Sequence, residues 1–145
     1  MTGWRLGWSI WPDTLIEHAN KICVNYNSCA TSISQYAGLE AIKGSQNEIT
    51  KIVSEFQKRK DYVFSELNKL DKISCFEPGG AFYAFPNISK TGLNGNKFSE
   101  VALEEMGVAL VPGSSFGDNA SEFVRISFAN SLENIKEAIN RLSTI

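Results

Sequence analysis

Met1-Thr2-Gly3-Trp4-Arg5-Leu6-Gly7-Trp8 opens the chain, and Ser9-Ile10-Trp11 continues it. One permanent cation, Arg5, sits at the head of a run that holds large apolar side chains. From Arg5 to Trp11 this run reads as a buried strand or strand-like segment. Trp4, Trp8 and Trp11 form a surface that belongs in a core or an interface. No basic patch accompanies them, so a base-stacking platform is not the reading. Taken alone, Arg5 reads as an arginine that ends a strand and pairs with a carboxylate at the surface.

Working outward, the 145 residues are enough for one domain with a real core. The chain is 43% hydrophobic and 21% charged, with 14 basic and 16 acidic residues and a formal net charge of -2. That balance gives no electrostatic reason to expect nucleic acid or a membrane surface as a partner. No apolar run approaches the length of a membrane span, and the first residues lack the basic-then-apolar order of a signal peptide. Cys23, Cys29 and Cys75 are odd in number and show no metal-ligand spacing, so free thiols in a reducing cytoplasm are expected and no metal site is assigned.

Pro12 and Asp13 open a helix with Leu15, Ile16, Ala19, Ile22 and Cys23 along one face. Ser32 to Lys43 is a second helix, closed at Gly44. From about Gln46 to Leu70, Ile49, Ile52, Val53, Phe56, Val63, Phe64, Leu67 and Leu70 recur at three- and four-residue steps, which predicts a long amphipathic helix. Beyond Asp71 the pattern shortens. Ile73–Phe76 and Ala81–Phe85 read as strands across the turn Glu77-Pro78-Gly79-Gly80. A helix follows with Phe98, Val101, Ala102 and Met106, then a strand Val108–Val111 and a tight loop Pro112–Gly117. Phe123–Phe128 alternates as a strand, with Val124, Ile126 and Phe128 on one face. Asn130 with Glu133 starts a last helix in the manner of a capping box. The expected organisation is a first part, residues 1–45, with no complete sheet of its own, and a compact α/β unit over residues 46–145.

Five motifs in this order carry a family resemblance. They are Met1-Thr2-Gly3-Trp4-Arg5-Leu6-Gly7, Ser32-Ile33-Ser34-Gln35-Tyr36-Ala37, Pro78-Gly79-Gly80-Ala81-Phe82-Tyr83, Pro112-Gly113-Ser114-Ser115-Phe116-Gly117 and Arg125-Ile126-Ser127-Phe128-Ala129. Together they resemble the C-terminal portion of class I/II, fold type I, pyridoxal-phosphate-dependent aminotransferases of the aspartate aminotransferase kind. The resemblance implies an α/β fold. Residues 1–45 would end the large cofactor-binding domain, and residues 46–145 would form the connecting helix and an α+β small domain. It further implies transfer of an amino group between an amino acid and a 2-oxo acid, with pyridoxal phosphate as carrier. It assigns Arg5 to the cofactor phosphate and Arg125 to the substrate carboxylate.

The setting of Arg125 agrees with that assignment, because a cation inside an apolar strand must face water or have an anionic partner. Alternation with Val124 and Ile126 also permits a plain outward-facing arginine. Phe82 and Tyr83 are open to two readings: substrate-side lining, or core together with Phe76 and Phe85. Cys29 reads as a small packed residue and His18 as solvated. The lysine that holds the cofactor as a Schiff base precedes the Met-Thr-Gly-Trp-Arg run in the family, and Lys21, Lys43 and the other lysines fall at no matching position. The chain by itself is therefore expected to be inactive and to carry no catalytic residue. Met1 coincides with a methionine inside the family motif, which points to truncation or a misplaced start codon. A homodimer, or association with a missing N-terminal part, is the expected assembly. The alternative is a non-catalytic α/β binding or assembly module derived from the small domain.

Overall fold

The computed structural model describes residue 1 and residues 3–145; Thr2, inside the first motif, lies outside the described residues. The chain divides into two compact units, Met1–Ile49 and Thr50–Ile145.

In the first unit, α1 spans Asp13–Tyr26 and α2 spans Ser32–Lys43. Pro12 precedes α1, where its fixed φ of -56° suits a helix entry and its missing N–H costs nothing. The Thr31 hydroxyl caps α2 by accepting from the Ser34 N–H, and the Gly44 N–H closes it on the Glu40 carbonyl. Gly44 does so in extended rather than left-handed backbone, at φ -75°. α1 buries no side chain, and Leu15, Ile16 and Ile22 on its apolar face are exposed.

The predicted strand over Arg5–Trp11 is not formed. Residues 3–5 make a turn and the following residues are irregular, with Trp8 74% and Ile10 86% exposed. A strand exists only by pairing, and no neighbouring strand accompanies this segment among the described residues. Cys29, expected to be packed, is exposed as well.

α3, Asn47–Leu67, starts in the last residues of the first unit, and the rest of it supplies the floor of the second. Its stripe is buried only toward its end: Val63 and Leu67 are fully covered, whereas Ile49, Ile52 and Val53 are exposed. A three-stranded antiparallel sheet packs with it, in the order β1-β3-β2, from β1 (Tyr83–Ala84), β3 (Val124–Ser127) and β2 (Val111–Pro112). α4, Gly95–Glu104, and α5, Leu132–Leu142, complete the layer. Phe98 and Ala102 of α4, Ile135 and Ile139 of α5, and Val124 and Phe128 meet in one core. The architecture is the mixed helix and small-sheet arrangement that the sequence predicts.

Three local expectations change. Ile73–Phe76 contributes one isolated bridge, Ser74 with Asn87, instead of a strand. Val108–Val111 yields ladder only at its end, where Val111 pairs with Arg125 and Pro112 with Val124. Beyond that register, residues 107–110 with Ile126, Ser127, Ala129 and Asn130 line a cleft of about 470 Å³ with α5. The last helix is capped by Ser131, whose hydroxyl accepts from the Asn134 N–H. Asn130 stands one place earlier and accepts from the Ser131 N–H and the Asn134 amide.

Candidate functional site

The register of the sheet decides where Arg125 stands. Tyr83 pairs with Ser127 and Ala84 with Ile126. Side chains alternate along a strand, so Val124, Ile126 and Ala84 share the core face. Arg125 and Ser127 share the other face with Tyr83 and Val111. Arg125 is half-buried there.

Its environment is aromatic. The guanidinium carbon lies over the Tyr83 ring at 4.4 Å from the centroid and over the Phe116 ring at 4.7 Å. Tyr83 comes from β1, on one side of β3, and Phe116 from the 3-10 turn Gly113–Phe116 that follows β2, on the other. Each ring is backed by another: Phe82 lies 4.5 Å from Tyr83, and Phe85 meets Phe116 edge-on at 6.0 Å while stacking on Phe123. No carboxylate among the described residues comes within ion-pair distance of Arg125. A guanidinium has five N–H donors in its plane and no acceptor. The rings against the guanidinium supply no carboxylate or carbonyl oxygen, so its donors suit an acceptor supplied from outside the chain.

Of the aromatic residues read as core or lining, Phe76 is 90% exposed and is not core, Phe82 is 39% and Phe85 36% exposed, and Tyr83 is the ring against Arg125. Phe116, noted in the sequence only as part of a loop motif, is the ring the sequence reading missed. Its signal was its place in Pro112–Gly117, the loop between β2 and the arginine's own strand, which β2 flanks.

Two devices hold this region. Gly113 is buried, and a Cβ there would stand 2.1 Å from the Ala120 carbonyl oxygen and 2.7 Å from that of Phe123. Only glycine allows backbone to approach so closely. On the other side, Lys60 on α3 donates to Glu77 at 2.6 Å, anchoring the loop that leads to Phe82 and Tyr83. That hydrogen bond, with the attraction of the Glu77 charge, holds the Lys60 ammonium above the usual lysine range. Ala81, between them, takes a left-handed φ of 58°.

Arg5 sits in the first unit on a turn rather than at a strand end. The Met1 carbonyl accepts from the Trp4 and Leu6 N–H groups. The Ser34 hydroxyl, on α2, donates to the Trp4 carbonyl at 2.9 Å. Leu6 packs on Gly38, where a Cβ would come within 2.4 Å of it. Arg5 itself has φ 55°, a conformation that costs a non-glycine residue about 1–2 kcal/mol. It is exposed. The Ser32–Ala37 motif thus acts through Ser34, which ties the Arg5 turn to α2.

The sequence matches the protein-family model described as aminotransferase class I and II over residues 1–142. The chain belongs to the class I and II aminotransferases. It is 39% identical over 144 residues to an aspartate aminotransferase of Pyrococcus horikoshii, covering 98% of this chain and 37% of that protein. It is 41% identical over 143 residues to a (5-formylfuran-3-yl)methyl phosphate transaminase of Methanocaldococcus jannaschii, covering 98% of this chain and 38% of that one. Its fold superposes on the crystal structure of an aromatic aminotransferase from Pyrococcus horikoshii with a TM-score of 0.91 and 38% identity, over 99% of this chain and 39% of that one. The chain thus spans a little over a third of the length of the aminotransferases it matches.

Members of this family use pyridoxal phosphate. The donor set present here fits one end of that group: Arg5 offers an exposed, permanent cation on a pinned turn, chemically suited to a phosphate. Several lysines are surface ion-pair partners, such as Lys21 with Glu17 and Lys97 with Glu100. The described residues contain no cluster able to hold a metal ion, and no helix long and apolar enough to cross a membrane.

Proposed function

We propose that this chain is the part of a pyridoxal-phosphate-dependent aminotransferase that grips the substrate carboxylate through Arg125 and the cofactor phosphate through Arg5. In this reading residues 1–45 belong to the large cofactor-binding domain and residues 46–145 are the connecting helix and small domain. The reaction moves an amino group between an amino acid and a 2-oxo acid in the cytoplasm. Pyridoxal phosphate, when bound, supplies the electron sink and carries the amino group between the two substrates.

One observation carries the proposal. Arg125 is a half-buried guanidinium with aromatic rings against it and, among the described residues, no carboxylate within ion-pair distance. The rings offset part of the cost of removing the charge from water, yet they satisfy none of its N–H donors. A carboxylate arriving in the guanidinium plane would accept two of them at once, which is the strongest common hydrogen-bonded pairing of these groups. The relatives' names point to different substrates: aspartate, aromatic amino acids and a furan phosphate. An anchor for the group that amino acids have in common is the contribution such enzymes could share.

Arg5 would bind and orient the phosphate from its pinned turn. No residue of this chain is assigned to proton transfer, so the chain alone should not turn over. The exposed Trp4, Trp8, Ile10 and Ile22 in the first unit make an apolar surface suited to the rest of the enzyme or a second subunit.

The test is to exchange this chain for the matching segment of the Pyrococcus horikoshii aspartate aminotransferase. The chimera should transaminate, Arg5→Ala should weaken cofactor retention, and Arg125→Ala should weaken use of the amino acid. Turnover by the purified chain with pyridoxal phosphate and no other polypeptide would overturn the reading.

A further inference from the structure

We propose that Tyr83 and Phe116 are positioning residues that clamp Arg125, so that its in-plane N–H edge, and not its faces, meets the incoming carboxylate. The inference rests on the reading of Arg125 as the carboxylate anchor and goes beyond it by naming what sets that arginine's orientation and what makes it irreplaceable by lysine.

The geometry is that of a built clamp. Arginine is long, and a free guanidinium on a strand surface samples many rotamers, which binding would have to freeze. Here two rings reach the same guanidinium carbon, at 4.4 and 4.7 Å, from the two strand sides that flank β3. Tyr83 and Phe116 are not among the ring pairs that contact one another, so the arginine is what they share. Each is held from behind, Tyr83 by Phe82 and Phe116 by Phe85. Phe82 is held in turn by Phe56 at 6.1 Å, and Phe85 stacks on Phe123 at 5.2 Å with the planes 7° apart. The clamp is therefore set by the packing of the unit and exists before any ligand arrives. A planar, delocalised cation fits between rings and still presents donors at its edge, whereas an ammonium point charge cannot do both. The hydroxyl of Tyr83 takes no part in the clamp; its ring does.

The experiment uses the whole 145-residue chain and nuclear magnetic resonance of the arginine Nε–H group, with sodium acetate replacing sodium chloride at constant ionic strength. Arg125→Lys identifies the resonance by removing it. In the unaltered chain the resonance should lie upfield through the ring currents and should move as acetate is added. Tyr83→Phe should keep both behaviours. Tyr83→Leu and Phe116→Leu should each lose upfield displacement and raise the acetate midpoint about threefold, the scale of one exposed cation–π contact. Backbone amide spectra show whether the leucine variants stay folded. If they do not, the unaltered chain still tests the clamp, because an Arg125 resonance at an ordinary position overturns it. An acetate response equal in the parent and the folded leucine variants overturns the clamp and leaves the anchor standing. No response to acetate in any form overturns both.

Discussion

Gly113→Ala is the substitution whose effect the structure fixes most closely. The new methyl would be 2.1 Å from the Ala120 carbonyl oxygen, 2.7 Å from that of Phe123 and 3.0 Å from the Phe123 Cβ. Two of these neighbours are backbone, so no rotamer change relieves the clash. The loop Gly113–Phe116 must move away from residues 120–123 by close to an ångström. That movement strains the hydrogen bond from the Gly113 N–H to the Phe123 carbonyl, now 2.8 Å, beside the Pro112–Val124 pairing. Overpacking of this kind costs about 1–3 kcal/mol, and a lost backbone hydrogen bond adds about 1 kcal/mol. The expected destabilisation of the second unit is therefore roughly 2–4 kcal/mol, or about 10–25 °C in Tm for a unit of this size. The assay is urea unfolding followed by backbone amide resonances of that unit. All three tryptophans lie in the first unit, so their fluorescence follows that unit separately. Gly79→Ala is the control, since nothing lies within 4 Å of its added methyl, and it should change stability by no more than about 0.5 kcal/mol. A Gly113→Ala protein with an unchanged midpoint would refute the reasoning. The same substitution should also shift the Arg125 resonance, because Phe116 rides on the displaced turn.

Two other predictions concern the helices. Glu133 at the start of α5 is held below the usual glutamate range of about 4.3 by its own backbone N–H and then by the Ser131 hydroxyl. A depressed carboxylate stabilises the fold above its unfolded pKa and loses that contribution as pH falls through its folded value. Glu133→Gln should thus be less stable than the parent at pH 7, with the gap closing below about pH 4 in urea midpoints; a gap that persists at pH 3 contradicts the assignment. In the isolated chain, amides of α1 should exchange with solvent much faster than those of α5, because α1 buries no side chain whereas α5 buries Ile135, Ile139 and Leu142. Equal protection would show that α1 is held by something its exposure does not reveal.

How far the sequence went depended on the kind of signal. α3 and α5 were legible because their apolar residues recur at three- and four-residue steps, and α2 because Gly44 marks its end. β3 was legible because Val124, Ile126 and Phe128 alternate within one short run. The strand expected over Arg5–Trp11 failed on a different physical fact: apolar content is a property of the segment, but pairing is a property of its neighbours. The same holds for Ile73–Phe76, where only Ser74 finds a partner. Ser131 displaced Asn130 as cap because a one-residue shift suits two adjacent residues that both accept hydrogen bonds. At the site, Arg125 stood out in sequence as a cation among apolar residues. Its two rings did not, since Tyr83 reaches it only through the β1–β3 register and Phe116 only through the turn that Gly113 permits. Arg5 was named by its motif, and the turn that holds it depends on Ser34, 29 positions along the chain from Arg5.

The central claim is that Arg125 recognises the carboxylate of an amino acid. The most direct measurement compares, in the chimeric enzyme, kcat/KM for an amino acid and for the amine that lacks only its carboxylate. The unaltered Arg125 chimera should prefer the amino acid strongly. Arg125→Ala should remove about 2–3 kcal/mol of that preference, a factor of roughly 30 to 150, while leaving the amine nearly unaffected. A preference that survives the substitution undiminished would place the carboxylate anchor elsewhere and contradict the account.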